Sequence, residues 1–212
     1  MRASTIDCHL LGLSGSIRRD STNTAILRTL AEHLENKASL SLFPLDHVPL
    51  YNADLEGELL PPSVRALQDA IARNDGIVLC SPEYNHGMSG VLKNALDWAS
   101  RPGFASPLKN KPALLLASSP GYTGGARAHA QMRETLAAAL ARVVARPQVA
   151  IASVMQKIWT ASSSITTPSN FVLMRSTIFC RRSAHCRTSW RQRDEPRFCL
   201  RSPWPALDRF CI

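Results

Sequence analysis

Between residues 8 and 151 the chain alternates short apolar runs with longer segments of helical spacing, and few architectures accept that alternation. The apolar runs are 8–13, 40–45, 77–80, 113–118 and 149–151, all of strand length. Between the first two, residues 22–36 carry Ala25, Ile26, Leu30 and Leu34 at the spacing of one helix face. Pro61-Pro62-Ser63 opens a second helix whose inner face is Val64, Leu67 and Ile71. Residues 90–99 read as a third helix and the Ala-rich 126–144 as a fourth. Strands alternating with helices of this length build βαβ units. The expected fold is therefore α/β, a doubly wound five-stranded parallel sheet with helices on both faces.

The composition changes at about residue 152, and the change decides what the basic charge means. Residues 1–152 hold 15 Lys and Arg against 13 Asp and Glu, a net of +2; residues 153–212 hold 10 against 3, a net of +7. The formal +9 thus belongs mostly to the tail. Through Arg181-Arg182 and the arginines of 187–193 it would support only non-specific, salt-sensitive association, so no specific nucleic-acid partner is expected. All 10 glycines lie at or before Gly125, and Trp159, Trp190 and Trp204 fall in the tail. Residues 1–152 are read as one domain. The atypical basic tail 153–212 has three candidate accounts: a disordered extension, a reading frame shifted after about residue 155, or an unfamiliar module.

No apolar run approaches the roughly 20 residues of a membrane span, so no membrane partner is expected. Asp7 and His9 interrupt the N-terminus before any long apolar stretch, which argues against a secretory leader and for the cytoplasm. None of the 6 cysteines forms a CxxC pair, so no zinc or dithiol site is indicated. Cys80, closing an apolar run, reads as a buried small hydrophobe.

Chemistry is expected in the loops. Gly15-Ser16-Ile17-Arg18-Arg19-Asp20-Ser21-Thr22-Asn23 joins the first strand to the first helix. A terminal phosphate needs converging donors, which a helix N-terminus supplies. The hydroxyls of Ser16, Ser21 and Thr22 and the Asn23 amide add neutral donors, Arg18 adds charge, and Gly15 permits a backbone conformation closed to other residues. The pattern matches neither the dinucleotide nor the triphosphate glycine motif. Helix capping by Ser21 or Thr22, with Arg18 in solvent, is an equally open use. Ser81-Pro82-Glu83-Tyr84-Asn85-His86-Gly87 follows the third strand, where an extended turn can present amides to a flat ring while Tyr84 covers apolar area; an ordinary turn at Gly87 is the alternative. Ser118 to Arg127 forms a glycine-rich loop suited to close approach.

GSIRRDSTN, SPEYNHG followed by LKNALDW, and the Ser-Pro-Gly to Gly-Gly-Ala-Arg loop, in this order, resemble the NADPH-dependent FMN reductase family, whose members include quinone, chromate and azo-dye reductases. The resemblance covers roughly residues 5–152. It implies a flavodoxin-like sheet of order 2-1-3-4-5 with bound FMN. The phosphate would lie on Ser16, Arg18, Ser21 and Asn23, with Pro82, Glu83, Tyr84 and Asn85 along the ring. Ser118 and Gly121 would approach from the fourth strand's loop. The implied reaction passes hydride from NADPH or NADH to FMN and on to a quinone, azo, chromate or free-flavin acceptor; the alternative is a flavodoxin-type electron carrier. The helix around Asn94 and Trp98 resembles the family's dimer-forming element, implying a homodimer or homotetramer. No residue is assigned as catalytic acid or base: His86 and Tyr84 could donate protons, but a loop histidine is more often solvent-facing or structural. Arg101 could attract an anionic acceptor or simply interact with its helix C-terminus.

Overall fold

The computed structural model of the chain describes residues 8–34, 38–145 and 147–156. Expectations for residues beyond 156, the account of the tail included, lie outside them. The elements follow in chain order as β1 (His9–Ser14), α1 (Thr22–His33), β2 (Ser39–Phe43), α2 (Pro62–Arg73), β3 (Gly76–Tyr84), β4 (Gly87–Met88), α3 (Gly90–Ala99), β5 (Pro112–Ser118), α4 (Ala126–Ala138), β6 (Arg142–Val143) and β7 (Val149–Ile151).

The sheet runs β2-β1-β3-β5 in parallel, with β6 and β7 both on the outer side of β5 and β4 antiparallel to β3. The doubly wound α/β class holds, but the sheet has 7 strands rather than five. The expected fifth strand is shared. β6 pairs with the start of β5 at Pro112 and Ala113, and β7 pairs with its end, from Leu116 to Ser118.

Strand period 2 sorts the core. Leu11, Leu13, Ile77, Leu79, Ala113, Leu115 and Ala117 enter one apolar cluster with residues of α2, α3 and α4. Leu10, Val78, Cys80, Leu114 and Leu116 alternate with them and are also buried. α1 contributes nothing to that cluster; it packs against β1, β2, β3 and β5, burying Ile26, Leu27 and Leu30. Both faces of β3 and β5 are covered, which is why these strands read as unbroken apolar runs.

Two expected boundaries move. β3 does not stop at Ser81-Pro82 but continues to Tyr84, because the chain folds back and pairs Tyr84 with Gly87. α4 ends at Ala138 instead of running to residue 144. There Leu140 adopts φ 61°, its N–H donates to Ala137 O at 3.0 Å, and Ala141 N–H donates to Leu136 O at 2.9 Å. This Schellman arrangement closes the helix through a left-handed residue, a place usually held by glycine.

Candidate functional site

The carboxyl ends of β1, β3 and β5 share one rim, since Ser14 is registered with Cys80 and Pro82 with Ser118. Ser16 and Asn85 follow the ends of neighbouring strands and belong to that rim. Gly15 donates its N–H to Cys80 O at 2.8 Å. A Cβ on Gly15 would stand 2.8 Å from Ser89 Oγ and 3.1 Å from Pro82 Cδ and Ser81 Oγ. Its φ is not positive, so the expected special conformation is absent; the glycine is required by how closely the first and third loops approach.

At the start of α1, Ser21 Oγ accepts from Thr24 N–H at 3.2 Å and caps the helix. Thr22 is the first helical residue, and the N–H groups of Thr22 and Asn23 have no partner within the helix. The Thr24 hydroxyl donates to Ser14 Oγ at 2.8 Å, and Ser16 N–H reaches the same oxygen at 3.4 Å. Arg18 is exposed, with Nη2 donating to Asp20 O at 2.6 Å. Capping by Ser21 with Arg18 in solvent is thus what the chain does here. It leaves an anion-ready helix end, because the cap uses the Thr24 N–H and not the first two.

Asn23 is 2% exposed, and its Oδ1 accepts from Ser118 Oγ at 2.9 Å and from Cys80 Sγ at 3.2 Å. One amide ties the beginning of α1 to the ends of β3 and β5. Only its Nδ2 is left to face an anion. Ser118, 1% exposed, directs its hydroxyl to Asn23 and holds the rim together. Burial pushes the Cys80 thiol well above its ordinary range, so it acts as a neutral donor.

Pro82 is buried in β3, while Tyr84 is 58% exposed at the hairpin. Asn85 (φ 50°) and His86 (φ 67°) are both left-handed, the requirement of a two-residue turn of type I′. The Glu83 carboxylate caps a helix. Its Oε2 accepts from Arg127 N–H at 2.9 Å and Ala128 N–H at 3.2 Å, capping α4, whose own N-cap Gly125 has no side chain to do so. His86 is exposed and its ring meets the Arg127 guanidinium. Gly121 is exposed, and its carbonyl accepts from Gly124 and Ser153, anchoring the loop after β5.

Beside the β1–α1 loop, on the side of β2, lies an open cleft of about 320 Å³ lined by Ser16, Arg18 and residues 42–46 among others; Pro82, Glu83, Tyr84 and Asn85 do not line it. The structure thus brings the expected residues to one rim, with Ser16 and Arg18 on this cleft.

Arg101 Nε stands 3.6 Å from Glu56 Oε1, and its guanidinium lies 5.4 Å from the centre of the Tyr51 ring. Asn94 bonds Tyr51 N–H and Pro49 O, and Trp98 Nε1 donates to Pro49 O, so both fasten the segment before α2 within this chain. Sequence reasoning missed Gln131, whose Oε1 accepts from Met88 N–H at 2.7 Å and anchors the hairpin, and the bond that Cys80 makes. Neither stands in a motif; both partners are distant in sequence. Among the described residues no three His, Cys, Asp or Glu cluster as a metal site.

Residues 8–156 match the family described as NADPH-dependent FMN reductase. An NAD(P)H-dependent FMN reductase of Pseudomonas aeruginosa is 40% identical over 147 residues, 69% of this chain and 79% of that protein. A quinone reductase of Escherichia coli is 40% identical over 139 residues, 64% of this chain and 73% of that one. Among solved structures, the flavoenzyme NAD(P)H:(acceptor) oxidoreductase FerB of Paracoccus denitrificans superposes with a TM-score of 0.72 at 30% identity, covering 81% of this chain and 93% of that one. With the family pattern running from β1 to the end of the described residues, the chain belongs to the NADPH-dependent FMN reductase family.

Proposed function

We propose that this chain is an NAD(P)H-dependent reductase that holds FMN at the rim of β1, β3 and β5 and reduces small acceptors, quinones foremost. The observation that carries the reading is the three-way junction at Asn23, which sets the phosphate-type loop and the two ring-side loops around one rim. FMN, when bound, supplies hydride transfer between the nicotinamide and the acceptor.

The chain supplies placement. The first N–H groups of α1, the Ser16 hydroxyl, the Asn23 Nδ2 and the Arg18 guanidinium form a donor set that suits a phosphate dianion. Ser21 preorganises that helix end by capping it. Pro82 and the backbone from Glu83 to Asn85 border the ring side, and Tyr84 shields it from water. Ser118 and Gly121 act mainly through the loop they hold. Quinones are favoured as acceptors by the relatives named quinone reductase. The exposed Leu50, Leu59 and Phe104 support a homodimer or homotetramer, and among the described residues no helix is long and apolar enough to cross a membrane. We place the working enzyme in the cytoplasm.

The test is the visible spectrum of the purified protein followed by anaerobic addition of NADPH. Flavin bands near one per chain that bleach on mixing support the reductase. Flavin that stays yellow identifies an electron carrier, and absence of bands after FMN addition removes the reading.

A further inference from the structure

β4 is two residues long, so its hairpin with β3 closes on only two cross-strand pairs, Glu83 with Met88 and Tyr84 with Gly87. The turn residues Asn85 and His86 are both left-handed, a backbone that side chains adopt at a cost. A two-stranded hairpin this short is marginal in water without outside support. At its base, Ser89 N–H donates to Ser81 Oγ at 3.2 Å, which fixes where the hairpin begins. Its tilt is fixed from α4. Glu83 reaches out of the hairpin to the N–H groups of Arg127 and Ala128, at 2.9 and 3.2 Å. Gln131, one helical turn beyond Arg127, reaches back: its Oε1 accepts from Met88 N–H at 2.7 Å. The two ties run in opposite directions between the same pair of elements.

Gly87 shows how closely the Gln131 carboxamide is seated. The φ of Gly87 is not positive, so the turn itself does not demand glycine there. A Cβ at Gly87 would stand 2.7 Å from Gln131 Oε1, and the three nearest atoms it would meet all belong to Gln131. An alanine would therefore push that flexible side chain aside and break its bond to Met88, with no backbone atom in the way. Gly87 and Gln131 specify each other. We propose that Gln131 is a positioning residue for the flavin ring: from α4 it sets the tilt of hairpin 83–88 and so where the backbone of Glu83 to Asn85 meets the ring. The part played by the ring rests on the reductase reading above; the clamp on the hairpin does not.

The test uses the full chain and two measurements. Amide exchange at Met88 in the flavin-free protein should quicken in Gln131→Ala and in Gly87→Ala, and return to the wild-type rate in Gln131→Glu, which keeps an acceptor. Fluorescence titration should show Gln131→Ala binding FMN and riboflavin about fivefold more weakly, the scale of one neutral hydrogen bond. Because the effect belongs to the ring side, the ratio of the two affinities should stay as in the wild type. Gly87→Ala should weaken binding by a similar factor alone and by nothing further when Gln131 is already alanine. Met88 exchange or flavin affinities that Gln131→Ala leaves unchanged overturn the proposal. So does a Gly87→Ala loss of equal size in both backgrounds, or a loss confined to FMN, which would place the effect at the phosphate. A wild type that takes up neither flavin removes the reductase reading and the ring's part with it; exchange at Met88 then decides for or against the clamp by itself.

Discussion

Asn23 serves two donors with one oxygen, and removing that oxygen isolates both. In Asn23→Leu the Ser118 hydroxyl and the Cys80 thiol would be buried without an acceptor. An unsatisfied buried donor costs about 1–3 kcal/mol and a thiol less, so urea unfolding of the flavin-free protein should show a loss of about 2–3 kcal/mol. His129 gives the fold an acid sensitivity. It is 2% exposed; burial above all, then the neighbouring Arg133, lowers its pKa below the ordinary 6.5. Below pH 6.5 the unfolded chain takes up a proton there that the folded chain refuses. Stability is therefore complete above 6.5 and declines as pH falls toward the folded value. Denaturation midpoints between pH 7 and 5.5 should fall less in His129→Gln than in the wild type. At this scale the sequence was half legible. Asn23 could be singled out by its place at a helix start, but its partners lie 57 and 95 residues away, and no local pattern reports them.

At the scale of elements, caps decide where the sequence pattern misleads. The Ala-rich run continues to residue 141, yet α4 closes at Ala138 because Leu140 turns left-handed. A left-handed leucine costs about 1–2 kcal/mol relative to its preferred backbone, and this one is 42% exposed, so little packing opposes its replacement. Leu140→Gly should raise stability by roughly 1 kcal/mol in thermal or urea unfolding, an amount reduced by the extra freedom of unfolded glycine. At the other end of the same helix, Glu83→Gln keeps an acceptor but removes the charge from the helix dipole. A loss of about 0.5–1 kcal/mol is expected, with high salt shrinking the difference. The main strands were visible in advance because continuous apolar runs mark strands buried on both faces. β4 and β6, two residues each, were not, since pairing partners rather than composition define them.

The whole molecule was legible in class and incomplete in topology. Alternation of runs and helices gave the parallel sheet, and the loop motifs gave the rim. The outer edge of β5, divided between β6 and β7, depends on where the chain leaves α4, which hydrophobic period does not encode. The junction at Asn23 also governs the order in which this molecule can become complete. It joins residues separated by 57 and 95 positions, and such distant closures come late, after the loop entropy has been overcome. Refolding in the presence of FMN should therefore show far-ultraviolet ellipticity recovering before flavin fluorescence changes. A nucleotide would find nothing to occupy on a half-assembled chain, so its capture announces the finished article rather than an intermediate on the way.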